Sequence, residues 1–305
     1  VQKRRIMERL SLSSGWFYEV EETLQKGATA YQEIEVVRSQ EFGTVLLLDG
    51  ATQVMEKNEF QYHEPMVHLA MLAHPEPRRI LIIGGGDGGI LREVLRHPTV
   101  ERVDFVELDE EVVRFSRQYL PHLNGGAFED PRVELFFQDG RHFVETCTGQ
   151  YDGVIMDMTD PMGPSLFLYT KEFFSLVSRL LKDGNSFFVM HSESPETRPL
   201  AFGRIHRTLS AVFSVVRPAY TYVRMYGSLW SFAICSPQLD PAVLTPADVE
   251  RRLSQRALGN LNLIAPSSWQ AFFATYPYIE ALRTMPGDIS TDAHPEFPDS
   301  FDYHG

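Results

Sequence analysis

Two carboxylates stand three positions apart in Asp157-Met158-Thr159-Asp160-Pro161-Met162-Gly163-Pro164, directly after the apolar run Gly153-Val154-Ile155-Met156. The run reads as a buried strand, and the Pro and Gly residues that follow turn the chain into a loop at its carboxyl end. Open parallel α/β sheets bind ligands at that edge. No Lys or Arg lies between Asp152 and Lys171, so the loop offers its negative charge to a cation rather than an anion.

A second chemical signal is the glycine turn Gly84-Gly85-Gly86-Asp87-Gly88-Gly89, placed between an apolar run and a helical pattern. Glycines such as Gly84 and Gly86 let backbone approach a ligand closely, and the following helix start favours polar or negative groups. Asp87 narrows the choice: a carboxylate is a poor neighbour for pyrophosphate and a good one for an ammonium or sulfonium. Further along, Val106-Glu107-Leu108-Asp109 and Gln138-Asp139-Gly140 end two more apolar runs with acids. A carboxylate at Glu107 can accept both hydroxyls of a ribose, and one at Asp139 can accept from an exocyclic amine of adenine. Tyr62 and His63 on the preceding helix are either core or site. Tyr226 and Trp230 are either ordinary packing or aromatic walls for an aliphatic amine.

The 305-residue chain carries 28 Lys and Arg against 41 Asp and Glu, a formal charge of −13, which repels phosphate backbones; nucleic acid is not expected as a partner. Cys147 and Cys235 sit in no ligand-spaced motif, so neither a disulfide framework nor a metal site is expected. The basic start Lys3-Arg4-Arg5 lacks the apolar stretch of a secretory signal, and no run approaches the ~20 apolar residues of a membrane span. The cytoplasm is the expected compartment, with no membrane partner.

Short aromatic and β-branched segments at Trp16–Val20, Ala30–Arg38 and Thr44–Leu48 predict a small antiparallel sheet, and residues 59–74 a helix with Pro65 in its first turn. Strands then alternate with helices: apolar runs near 80–83, 103–106, 133–137, 153–156 and 186–190, then two late strands near 215–223 and 230–235 suited to a hairpin. This pattern predicts an α/β fold with a mostly parallel seven-stranded sheet. Residues 241–283 read as helical and 285–305 as an irregular tail. The expected division is a β domain over 1–58, a catalytic domain over 59–284 and the tail.

In this order, Tyr31-Gln32, Leu48-Asp49-Gly50 with Gln53, Glu59-Phe60 with Tyr62-His63-Glu64, GGGDGG at 84–89, Val106-Glu107-Leu108-Asp109, Asp139-Gly140 and DMTDPMGPS at 157–165 resemble the spermidine synthase family, the polyamine aminopropyltransferases. The resemblance implies a Rossmann-like, methyltransferase-type domain behind an amino-terminal β domain. It also implies transfer of an aminopropyl group from decarboxylated S-adenosylmethionine, a co-substrate rather than a cofactor, to putrescine, leaving methylthioadenosine. Gln32, Glu107, Asp139, Gly140 and Pro164 would hold the nucleoside half, and His63 and Asp87 the amine-bearing parts. Asp157 would accept the proton with help from Tyr62, and Asp160 would hold the acceptor's distal ammonium. A homodimer or homotetramer is implied.

Two positions depart from the family's pattern: Met158, where a small residue is usual, and His191, where Gln is common. Both are expected on the acceptor side and keep spermidine open as a longer acceptor. An S-adenosylmethionine-dependent small-molecule methyltransferase and a non-catalytic polyamine-binding protein are the rival readings.

Overall fold

The computed structural model describes residues 4–297. Strands β1 (Arg4–Arg9) and β2 (Gly15–Val20) form an antiparallel hairpin, and β3 (Glu22–Ala28), β4 (Glu33–Ser39), β5 (Gly43–Leu48) and β6 (Ala51–Met55) form a separate four-stranded antiparallel sheet. The expectation of a single small sheet built on three segments from Trp16 onward is corrected to two sheets, with β1, β3 and β6 added. Neither β1 nor β3 shows apolar alternation: only Ile6 of β1 is buried, and β3 is an edge strand with no buried residue.

Helix α1 (Phe60–Ala73) is buried along its whole length from Tyr62 onward, and Pro65 lies in its second turn rather than its first. The remaining elements alternate: β7 (Arg79–Gly84), α2 (Gly89–Leu95), β8 (Arg102–Glu107), α3 (Glu110–Tyr119), α4 (Pro121–Asn124), β9 (Val133–Phe137), α5 (Gly140–Thr146), β10 (Gly153–Asp157), α6 (Lys171–Leu180), β11 (Phe187–His191), α7 (Pro199–Ser210), β12 (Val215–Val223), β13 (Ser228–Ser236), α8 (Pro246–Gln255) and α9 (Pro277–Thr284). Strands β7 to β13 make one seven-stranded sheet in the order β12-β13-β11-β10-β7-β8-β9. Strands β11, β10, β7, β8 and β9 run parallel, while β13 runs antiparallel to both of its neighbours. The late hairpin is present, with β13 rather than β12 against the parallel set.

The apolar run of β7 explains its central place. Ile80 and Ile82 point into the core shared with α1 and α2, whereas Leu81 and Ile83 point into the core shared with α5, α6 and α7. Each fully buried aliphatic side chain contributes roughly 1.5–3 kcal/mol, so covering both faces fixes this strand and the turn after it. The four-stranded sheet packs Ile34, Val36, Leu46 and Val54 against Val112 and Phe115 of α3, Leu123 of α4 and Leu120 between the two helices. That contact carries Gln32 to the end of β8.

The stretch 241–283 is only partly helical. A short 3-10 turn at Pro241–Val243 precedes α8, and one more at Trp269–Phe273, with irregular chain around it, separates α8 from α9, where Gly259 and Pro266 interrupt the pattern. Residues 285–297 have no helix or strand beyond a Thr291–His294 bridge, and the rest of the tail lies outside the described residues. Among the described residues no helix is long and apolar enough to cross a membrane.

Candidate active site

The carboxyl ends of the parallel strands converge on one cavity of about 1490 Å³. Its centre is the place where the chain order reverses: β10 lies on one side of β7 and β8 on the other. Asp157, the last residue of β10, is in register with Gly84, the last of β7. Gly84 and Gly85 have φ of +80° and +76°, a region open to glycine. A Cβ on Gly84 would lie 2.1 Å from the Asp157 carbonyl, and one on Gly86 would lie 3.0 Å from Oε2 of Glu107. The glycines thus let the turn lie flat against both acidic strand ends.

The Tyr62 hydroxyl donates to Oδ1 of Asp157 at 2.7 Å. Burial, reinforced by the Asp157 charge, holds the Tyr62 phenol well above its ordinary pKa, so it remains a donor. One turn of α1 earlier, Glu59 accepts from Nδ1 of His63 at 2.5 Å, and Arg92 donates to both Glu59 oxygens at 2.9 and 3.0 Å. Nε2 of His63 lies 3.8 Å from Oδ1 of Asp87. Burial opposes a charged imidazole, but Asp87, Glu59 and Asp157 outweigh it and hold His63 up at about 9. Burial pushes the Asp87 carboxyl up to about 6, aided by Asp157 and opposed by His63 and the Gly89 amide, which donates to Oδ1 at 2.6 Å.

Glu107 is pushed up to about 7 by burial, although its Oε1 accepts from the Asp109 amide at 3.0 Å. Asp109 caps α3 and holds Gln32 and Thr29, whose Nε2 and Oγ1 donate to its Oδ2 at 3.1 and 2.6 Å. Asp139 caps α5 through the His142 amide at 2.7 Å, with Gly140 beside it. Gln32, Gly84, Gly86, Glu107, Asp139 and Gly140 all line one end of the cavity. The Pro164 side chain lies outside the described residues.

At the other end Tyr226 and Trp230 resolve as cavity walls, their rings 4.3 Å apart, with Tyr226 edge-on to Tyr62 at 5.8 Å. They reach this edge because β13 is antiparallel, which brings its amino-terminal end to the side where the parallel strands finish. His191, the last residue of β11, stacks on Trp230 at 5.8 Å and binds the Met158 carbonyl through Nε2 at 2.9 Å. Met158 itself lines the cavity and lies beside Gly84, where a Cβ would meet its sulfur at 2.8 Å, so it packs against the glycine turn.

Three features lie beyond the reach of sequence-local reading. Glu8 of β1 lines the cavity, and burial pushes its carboxyl up to about 7 against hydrogen bonds from Thr52. Arg198, just ahead of α7, comes within 3.8 Å of Asp160, so a basic residue does enter the acidic loop, from 38 positions downstream. Arg141, beside Gly140, donates to the Phe167 carbonyl at 3.0 Å and to both oxygens of Asp292 at 2.8 and 2.6 Å. No motif marks these residues; each depends on a tertiary approach.

The sequence model of the spermine/spermidine synthase domain matches residues 59–244, and that of the spermidine synthase tetramerisation domain matches residues 12–56. A polyamine aminopropyltransferase of Nitrosomonas europaea is 40% identical over 280 residues, covering 92% of this chain and 86% of the relative. Polyamine aminopropyltransferase 2 of Hyperthermus butylicus is 38% identical, covering 92% of each. A spermidine synthase solved with the transition-state analogue AdoDATO superposes with a TM-score of 0.86 at 31% identity, over 93% of this chain and 97% of that one. The spermidine synthase of Thermotoga maritima gives 0.85 at 31% identity with the same coverage. With the acidic strand ends, the glycine turn and the Tyr62–Asp157 pair gathered in one cavity, these similarities identify the chain as an aminopropyltransferase belonging to the spermidine synthase family.

Proposed function

We propose that the chain transfers the aminopropyl group of decarboxylated S-adenosylmethionine to putrescine, giving spermidine and methylthioadenosine. The observation that supports this reading is the hydrogen bond from the buried Tyr62 to Asp157, in a cavity lined on one side by the acidic strand ends and on the other by Tyr226 and Trp230. In this reading Gln32, Glu107, Asp139 and Gly140 hold the nucleoside, to which the family resemblance adds Pro164, and Asp87 binds the donor's ammonium beside His63.

An alkylamine is mostly protonated near neutral pH and so has no free lone pair. Asp157 takes the proton from the attacking nitrogen, while Tyr62 fixes the carboxylate's orientation by occupying Oδ1. The nitrogen then attacks the propyl carbon attached to sulfur. A C–N bond forms, the C–S bond breaks, and its electron pair returns to sulfur to leave a neutral thioether. Asp160 holds the far ammonium, and Tyr226 and Trp230 flank the methylenes, so the encounter is oriented rather than random.

The match of residues 12–56 to a tetramerisation domain supports assembly as a homo-oligomer in which the amino-terminal sheets meet. The test of function is a product assay with decarboxylated donor and a panel of putrescine, cadaverine and spermidine. Methylthioadenosine released fastest with putrescine is the expected result; fastest turnover with spermidine would reassign the acceptor.

A further inference from the structure

The acceptor side of the cavity ends in a cluster of mixed charge. Asp160, His191 and Glu193 each bring one polar atom to within 4.8 Å of the others, and Arg198 stands 3.8 Å from Asp160 with its side chain 5% exposed. The cluster is rigidly held. Glu193 has a left-handed φ of 66°, and its carbonyl accepts from the Ser231 amide at 3.2 Å and the Ser231 hydroxyl at 2.5 Å. The Arg198 amide donates to the Ser194 carbonyl at 2.9 Å, and its own carbonyl accepts from Phe202 at 2.9 Å as α7 begins. A buried guanidinium beside Asp160 needs a reason, because it competes with a cationic ligand for the same carboxylate.

We infer that Arg198 is the end stop of the acceptor pocket and restricts the acceptor to a diamine. The inference rests on the reading that Asp160 holds the acceptor's distal ammonium. A diamine ends there, its second charge shared between Asp160 and the neighbouring acids. A triamine threaded the same way would carry a further aminoalkyl arm past Asp160. That arm would meet the guanidinium both as bulk and as a like charge. Specificity then comes from a repulsive element placed beyond the attractive one.

The test is kcat/KM for putrescine and for spermidine, at saturating decarboxylated donor, for the full chain and its Arg198→Lys, Arg198→Gln and Arg198→Ala variants. The unchanged chain should prefer putrescine, and Arg198→Lys should keep that preference. Arg198→Ala should raise the spermidine-to-putrescine ratio at least about tenfold. Arg198→Gln, which removes the charge and keeps most of the bulk, should fall between. The change should lie in the acceptor's KM, with the donor's KM unmoved. A ratio within about twofold of the starting value in Arg198→Ala overturns the inference. Should that variant fail to fold, an unchanged ratio in Arg198→Gln does the same. Failure of the underlying acceptor assignment shows separately, as a preference for spermidine or an absence of turnover in the unchanged chain.

Discussion

Oδ1 of Asp157 and the Tyr62 hydroxyl, 95 positions apart in sequence, meet at 2.7 Å because the last residue of β10 and the start of the buried helix α1 face the same glycine turn. If Asp157 accepts the proton, Asp157→Asn should lower kcat by about 10²- to 10⁴-fold with little effect on donor KM. Tyr62→Phe leaves the carboxylate in place but unoriented and should cost less, about tenfold. Asp160→Asn should instead raise the acceptor's KM. Steady-state kinetics in both substrates checks the set, and a reversed pattern between Asp157 and Asp160 would exchange their roles.

Donor choice should depend on Asp87. Intact S-adenosylmethionine differs from the decarboxylated donor by a carboxylate that this acidic pocket repels. Asp87→Asn should therefore narrow the preference for the decarboxylated form by roughly 10- to 100-fold. Calorimetric titration of both nucleosides against the two proteins measures it directly.

Nucleoside binding should weaken in acid. Burial raises the free Glu107 carboxyl to about 7, and a ribose diol donates best to the ionised form. The complex therefore binds fewer protons than the free protein, so affinity falls as pH drops below about 7, by up to about tenfold per unit. Methylthioadenosine, which lacks the donor's ammonium, isolates this effect from Asp87. Its affinity should become nearly independent of pH between 5 and 8 in Glu107→Gln; an unchanged profile in that variant would place the titration elsewhere.

The carboxyl-terminal segment should steady the loop over the nucleoside end. Asp292 grips Arg141, which also holds the Phe167 carbonyl, and the Thr170 hydroxyl donates to Oδ1 of Asp292 at 2.7 Å. Asp292→Ala should speed amide exchange across 163–168 and raise donor KM by up to about fivefold, leaving acceptor KM unchanged. Exchange mass spectrometry and kinetics together check it.

The sequence made one end of the cavity legible because its residues lie at the ends of predicted strands. Gly84 and Asp157 end strands whose burial writes an unbroken apolar run, whereas Glu107 ends and Asp139 follows strands broken by Asp104 and Glu134; the edge shared by all four follows from the fold class. Tyr62 and His63 could not be separated from core by pattern, since α1 is buried on every side beyond its first turn. Glu8 was hidden for another reason: β1 reads Arg-Arg-Ile-Met-Glu-Arg, which carries no apolar alternation. The absence of basic residues from 153 to 170 pointed to a cation pocket, yet the guanidinium nearest Asp160 arrives from the start of α7. Local charge counts are blind to such approaches.

The reversed direction of β13 has a practical meaning. In the proposed reading the nucleoside cradle comes largely from one continuous stretch between Gly84 and Gly140, while the amine pocket takes walls from β1, the end of β11, the start of α7 and the leading end of β13. Acceptor preference should then respond to grafts of those few segments between homologues while the residues assigned to the sulfonium donor stay intact. A library confined to positions 191–198 and 226–230 is the compact way to build catalysts for unnatural amines.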